Sequence, residues 1–329
     1  MFVISAEQRA RLLVAVVSGS RPALKQRPTA KYLDALRDAG FPTIWSVDER
    51  DAPSYERDGH EMSAYPHDWA YEYAREHWMQ PVPPEPDGFL GAFPGREWAA
   101  LEAERRGCWG WMNLDDNIHR LGFRRGSLSG CRLIDRHGGL AVHADLLSAV
   151  TLSTNAYTTG ANLEAVNTSA SDTRVTARAG FPYSCFVERV GPGREPWVGP
   201  FEDDIIHALQ YGDRADGVTA ALVPSLLYKK EAKSKTGFRA HYDSTRSVQL
   251  QRLMPQGAKI RVNATRANGQ GNPRVFHKLT PIRNPLRVHD RPLFQAVENR
   301  VRQLTEEWFV AEKDAARVKI LQRLAKVTK

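Results

Sequence analysis

Residues 12–17 read Leu-Leu-Val-Ala-Val-Val, six apolar side chains without alternation, and they stop at Ser18-Gly19-Ser20-Arg21-Pro22. An unbroken, β-branched run of this kind predicts a strand buried on both faces, as in a parallel sheet covered by helices. Thr29 to Ala39 then places Tyr32, Leu33 and Leu36 at helical spacing and ends at Gly40. Thr43 to Val47 is a second β-branched run, ending at Asp48. Strand, helix and strand within so short a span form a βαβ unit, and the chain is expected to be an α/β protein built on a mostly parallel sheet.

The same pattern recurs less regularly downstream. Helices are expected near Trp69 to Trp78 and over Arg96 to Arg106. Trp109 to Leu114 reads as a third buried strand that runs into Asp115-Asp116-Asn117. Arg132 to Ile134 and Leu140 to His143 read as a hairpin around His137-Gly138-Gly139. Tyr183 to Val190 predicts a strand, Phe201 to Tyr211 a helix, and Leu293 to Lys326 a helical tail. The stretch from Leu146 to Thr176, rich in Ser, Thr, Asn and Ala, carries no assignable period.

Composition narrows the class. Three cysteines, widely spaced and without a Cys-x-x-Cys pair, exclude a disulfide scaffold and a zinc ribbon and suit a reducing compartment. No apolar run approaches the ~20 residues of a membrane span, so a cytoplasmic protein with no membrane partner is expected. Charge is asymmetric. Residues 228–329 hold 23 Lys+Arg against 8 Asp+Glu, while the preceding residues hold 23 against 30. A segment of net charge +15 beside one of −7 suggests a polyanionic partner for the C-terminal part, although a solvated basic surface would look the same. The expected division is a catalytic domain over 1–227 and a basic extension over 228–329 that completes the acceptor site.

Two acidic constellations carry the chemistry. In open α/β sheets ligands bind at the carboxyl ends of the strands. Asp115, Asp116 and Asn117 follow such a strand, and their hard oxygens suit Mn²⁺ or Mg²⁺ bridging to a diphosphate. Glu202-Asp203-Asp204 opens a predicted helix, where carboxylates also simply complement the helix dipole. Taken together, one group for a metal and one for a base are what a sugar transfer with inversion needs.

This layout resembles the GT-A glycosyltransferases. The segments Trp111-Met112-Asn113-Leu114-Asp115-Asp116-Asn117-Ile118 and Phe201-Glu202-Asp203-Asp204-Ile205 look, more narrowly, like the TET/JBP-associated glycosyltransferases, the group of base J glucosyltransferase. The resemblance spans roughly residues 12 to 240. It implies a hexosyltransferase that moves a sugar from a nucleotide-sugar, with UDP-glucose the expected donor, to the hydroxyl of a 5-hydroxymethylpyrimidine in DNA. By that resemblance Asp116, Asn117 and a late histidine, His241 ahead of His277, hold the metal. Asn117 stands where the usual Asp-x-Asp has its last Asp. Asp115 contacts the metal or the ribose, Ser18 and Arg21 line the nucleotide loop, and Asp48 faces the base or ribose of the donor. Asp203 is the first choice for the catalytic base and Asp204 the second. The basic cluster Lys229, Lys230, Lys233, Lys235 and Arg239 suits either DNA phosphates or a lid over the donor diphosphate. The alternatives are a GT-A enzyme acting on a protein or small molecule, and an inactive DNA-binding relative.

Overall fold

The computed structural model describes residues 2–19, 21, 23–56, 59–123, 139–163, 176–229, 245–267, 273–280 and 284–304. Helix α1 (Ala6–Ala10) opens on a capping box between Ser5 and Gln8 and leads into β1 (Leu12–Val17). There follow α2 (Leu33–Asp38), β2 (Thr43–Asp48), α3 (Ala52–Tyr55), β3 (Met62–Tyr65), α4 (His67–Glu76), α5 (Phe93–Arg105), β4 (Gly110–Asp115) and β5 (Ile118–Phe123). The second half holds α6 (Gly139–Ser153), β6 (Thr158–Leu163), β7 (Ala177–Ala179), β8 (Cys185–Arg189), α7 (Asp203–Asp213) and β9 (Thr219–Lys229). Helix α8 (Thr245–Leu253), the hairpin β10 (Ala258–Ala267) and β11 (Pro273–Leu279), and a helix α9 over 291–304 complete it.

One sheet organises these elements in the order β3-β2-β1-β4-β8-β6-β9-β5, with β7 also paired to β9. Strands β1, β2, β3, β4, β6 and β9 run one way and β5, β7 and β8 the other. The mostly parallel α/β sheet expected from the apolar runs is therefore present. Every residue of β1 is buried, and its two faces separate cleanly. Leu12, Val14 and Val16 join a core with α2, α6 and α9, while Leu13, Ala15 and Val17 join a second core with α4 and α5. Each leucine and valine among them contributes about 1.5–3 kcal/mol on burial. Phe294, Val297 and Leu304 bring α9, from the basic third, into the first of these cores.

The predicted hairpin is corrected in its second arm: Leu140 to His143 lie in α6, not in a strand. A Gly-Gly pair before an apolar run signals a turn and strand locally, but α6 is buried almost all round and so shows no amphipathic period. Its first arm, Arg132 to Ile134, lies outside the described residues. The unassigned stretch contains the end of α6 and β6.

The chain moves outward from β1 to β2 and β3, then returns to place β4 on the other side of β1. That reversal opens a crevice at the carboxyl ends of β1 and β4, the switch point where such sheets bind ligands.

Candidate active site

Parallel pairing sets Val17 of β1 beside Asp115 of β4, so the next residues, Ser18 and Asp116, emerge side by side. Ser18 Oγ donates a short hydrogen bond to Asp116 Oδ2 and also meets Tyr55 Oη at 2.6 Å. Arg21 Nη1 lies 2.8 Å from Asp116 Oδ1. Thr29 braces the turn from beneath. Its N–H donates to Asp116 O at 3.2 Å, its hydroxyl donates to Asp115 O at 2.6 Å, and the hydroxyl oxygen accepts Ile118 N–H at 2.9 Å.

Asp115 and Asp116 are neighbours in sequence with opposite electrostatics. Burial alone would raise Asp115, but Lys229 Nζ at 2.5 Å and Arg96 Nη2 at 3.1 Å hold its carboxyl well below the usual range. Lys229 also donates to Ser184 Oγ at 2.8 Å. Burial wins at Asp116, pushing it up to about 6 although Arg21 and Ser18 pull the other way. Desolvation disfavours the charged form, and one partly exposed arginine does not fully offset it.

Arg96 joins the two acidic constellations. Its Nη1 lies 2.5 Å from Asp203 Oδ2, its Nη2 holds Asp115, and its guanidinium stands 5.1 Å from the Trp197 ring centre. Gly95 eases this placement: a methyl there would meet Val17 Cγ1 at 3.0 Å and the Tyr65 ring at 3.2 Å, so a larger residue would push α5 or these side chains back from their close approach.

Asp203 is the first residue of α7, and its Oδ1 accepts the Asp204 N–H at 3.1 Å. Asp204 Oδ1 accepts the Ile205 N–H at 2.9 Å. Burial, followed by the mutual repulsion of neighbouring carboxylates, holds this pair above the ordinary range against the pull of Arg96. Two residues here, Ser184 and Glu202, are non-glycines at φ 56°, in the left-handed region. Ser184 O accepts the Asp115 N–H at 2.9 Å, and Glu202 is the N-cap of α7. Backbone strain of this sort persists where the surroundings enforce it, and it concentrates at functional sites.

The structure therefore brings together Ser18, Arg21, Asp115, Asp116, Asp203 and Asp204 of the residues singled out in the sequence. Asp48 ends β2, and its oxygens are already engaged: Arg50 approaches at 3.1 and 3.2 Å and His67 Nδ1 at 2.8 Å. His67 Nε2 meets Pro86 O at 2.7 Å, so both ring nitrogens face acceptors. Burial would lower this histidine, but the two acceptors raise it. His277 lies 3.7 Å from Glu202. His241, Lys230, Lys233, Lys235 and Arg239 lie outside the described residues.

Sequence reasoning missed Arg96, Tyr55, Thr29 and Ser184, and it placed Lys229 on phosphates rather than on Asp115. For Lys229 a signal existed, because the mostly apolar stretch 219–228, interrupted at Pro224-Ser225, precedes a lysine at the carboxyl end of the strand. For Arg96 the only hint was a charged pair, Arg96-Glu97, between glycine and a Trp-Ala-Ala run.

The oxygen donors fit a hard divalent cation. Asp116 is short of positive charge, and Asn117 Oδ1 is buried without a hydrogen-bond partner. Among the described residues no three His, Cys, Asp or Glu side chains gather into a metal cage. That agrees with how Mg²⁺ and similar ions bind beside nucleotides, through one or two protein oxygens plus phosphates.

No helix among the described residues is long and apolar enough to cross a membrane. No protein-family model matches the chain, and a search of curated proteins finds no match. Solved structures resemble it at low identity, three of them as follows. A mycobacterial protein is 9% identical with a TM-score of 0.43, over 87% of this chain and 90% of its own. Mannosyl-3-phosphoglycerate synthase from Rubrobacter xylanophilus is 10% identical with a TM-score of 0.40, over 85% and 90%. Glucosyl-3-phosphoglycerate synthase from Mycobacterium tuberculosis, in complex with Mn²⁺, UDP-glucose and phosphoglyceric acid, is 8% identical with a TM-score of 0.45, over 88% and 93%. At these scores the likeness carries no argument by itself, and what this chain does is argued from its own residues.

Proposed function

We propose that the chain is an inverting hexosyltransferase that uses a nucleotide-sugar donor, with UDP-glucose expected, and a hydroxyl acceptor. One observation carries this: a single buried arginine, Arg96, ties Asp115 at the strand-end crevice to Asp203 at the start of α7. A group suited to the donor diphosphate and a group suited to the acceptor proton thus share one cleft.

In this proposal the donor diphosphate lies against Asp116, Arg21 and Lys229. The last two are cations whose side chains are 28% and 27% exposed, enough for a ligand to reach them. Asp116 and Asn117 would hold the divalent ion, which when bound supplies counter-charge to the departing diphosphate. On the acceptor side both oxygens of Asp203 are engaged, by Arg96 and by the Asp204 N–H. Among the described residues Asp204 commits only Oδ1, to the Ile205 N–H. We therefore assign proton abstraction to Asp204 and the anchoring of Arg96 to Asp203, reversing the order that the sequence suggests. A carboxylate raised toward neutrality is a stronger base than an ordinary one.

For the acceptor we propose the hydroxyl of a 5-hydroxymethylpyrimidine in DNA. The resemblance of the two motifs and the +15 charge of residues 228–329, which would complete the acceptor site, support it. One observation favours a small acceptor instead: Lys229, the first member of the basic cluster, is turned onto Asp115 rather than outward. Incubating the protein with several nucleotide-sugars, Mn²⁺ and hydroxymethylated DNA, then analysing nucleosides by mass spectrometry, tests both. A hexosylated nucleoside is expected. Donor consumption without one points to the small acceptor, and no donor consumption under any condition overturns the transferase assignment.

A further inference from the structure

A second cavity lies at the far end of the same sheet. Strand β8 begins beside the active site, where Ser184 contacts Asp115, and ends at Arg189, which is registered against Gly110 at the start of β4. Four residues at about 3.3 Å each put Arg189 roughly 13 Å away along the strand from Cys185. There it lines a cavity of about 510 Å³ together with Tyr157, Asn155, Arg287 and Asp216. That volume lies within the range of small-molecule sites.

The charge of this cavity is unbalanced. Arg194, also in the lining, is paired with Glu97, and Arg214 is paired with Glu195 at 3.3 Å and lies 3.7 Å from Asp216. Arg189 and Arg287 have no carboxylate partner among the described residues. Arg189 is half-buried and spends Nε and Nη2 on three backbone carbonyls, Ala156 O at 3.2 Å, Thr154 O at 3.0 Å and Thr151 O. Those contacts fix the guanidinium plane and leave Nη1 without an acceptor among the described residues. Burial lowers this arginine, as expected of a cation set in protein without a counter-charge. Buried charges are ordinarily paired, and a fixed guanidinium fork matches the geometry of carboxylate and phosphate oxygens.

We propose that this cavity binds a small oxyanion, a phosphate or a carboxylate group, between Arg189 and Arg287. The inference does not rest on the transferase assignment, because the cavity shares no side chain with the Asp115–Asp203 cleft.

Isothermal titration of the full chain in chelator, with inorganic phosphate and separately with succinate, tests it. Chelator removes metal-dependent phosphate binding at Asp116. Saturable binding of at least one probe is expected, and whichever probe binds more tightly identifies the oxyanion. Arg287→Ala and Arg189→Met should each weaken it about ten- to a hundredfold, the worth of one hydrogen bond to a charged group. Asp116→Asn should leave it unchanged. Arg189 also ties three carbonyls, so Arg189→Met risks misfolding; Arg287 is exposed, and its variant keeps the test decisive. Absence of saturable binding of both probes, binding indifferent to Arg287→Ala, or binding abolished by Asp116→Asn would each overturn the proposal.

Discussion

Two buried polar networks meet at Trp197. Arg96 stands over its ring at 5.1 Å on behalf of Asp115 and Asp203, and His207 stacks on it at 3.8 Å on behalf of Glu188. The Glu188 network leaves His207 Nδ1 buried without a hydrogen-bond partner among the described residues, but its acid is satisfied. Its carboxylate receives Trp111 Nε1 at 2.8 Å, Trp197 Nε1 at 3.3 Å, Tyr211 Oη at 2.9 Å and a short contact from His207 Nε2. Burial would raise Glu188, but His207 and the surrounding donors hold it below the ordinary range. In the Arg96 network carboxylates outnumber what their donors can neutralise. Asp116, Asp203 and Asp204 are all raised, Arg96 Nε is buried without an acceptor, and Ser184 and Glu202 are strained. The two networks thus divide by burial and by satisfaction: the Glu188 network is sealed, and the Arg96 network, partly open to solvent, is the one to which the proposed function assigns proton exchange.

The largest expected effects separate the two directly. Asp204→Asn keeps the shape of the side chain but cannot take a proton, so turnover should fall ~10²–10⁴-fold while donor binding persists. Single-turnover rates and donor titration on one preparation check this. Should Asp203→Asn stop turnover while Asp204→Asn does not, the roles of the two revert. Glu188→Ala should act on stability instead. It strands buried donors and should cost about 3–5 kcal/mol in urea unfolding, with the pH profile of the surviving activity unmoved.

A smaller effect concerns pH. Asp116 sits at about 6 in the folded chain against an ordinary 3.8, so the folded state holds its proton more tightly than the unfolded state. Stability should therefore decline as pH rises from about 4 through 6 and level off above, by on the order of 3 kcal/mol. In chelator, the difference between wild type and Asp116→Asn isolates this slope. The stability of Asp116→Asn relative to wild type should rise over that window, and a relative stability that falls with pH would contradict the burial argument. The smallest effect is Glu202→Gly. Relieving a left-handed non-glycine should stabilise the chain by about 0.5–1 kcal/mol and lower turnover by loosening the start of α7. A fall in thermal midpoint would show that Glu202 is held by its contacts rather than strained.

How much of this was legible in advance follows the range of each interaction. Six aliphatic residues in a row at 12–17, and the mostly apolar stretches at 43–47 and 109–114, announce buried strands because burial on both faces is written into consecutive side chains. The carboxylates that follow them are then placed at the ligand-binding edge by fold logic alone. Helix α6 was misread because an all-buried helix carries no periodicity to detect.

The sequence by itself thus determined the α/β class, the crevice, and the presence there of Ser18, Asp115 and Asp116, all consequences of local patterning along β1 and β4. Only the tertiary structure decided what those carboxylates are. Arg96 comes from α5, Lys229 from the end of β9, Ser184 from the start of β8 and Asp203 from α7. Which cation reaches which oxygen depends on strand order and on the close approach that Gly95 permits. A charge's protonation depends on burial and on neighbours within a few ångströms, and neither is a property of its position in the chain.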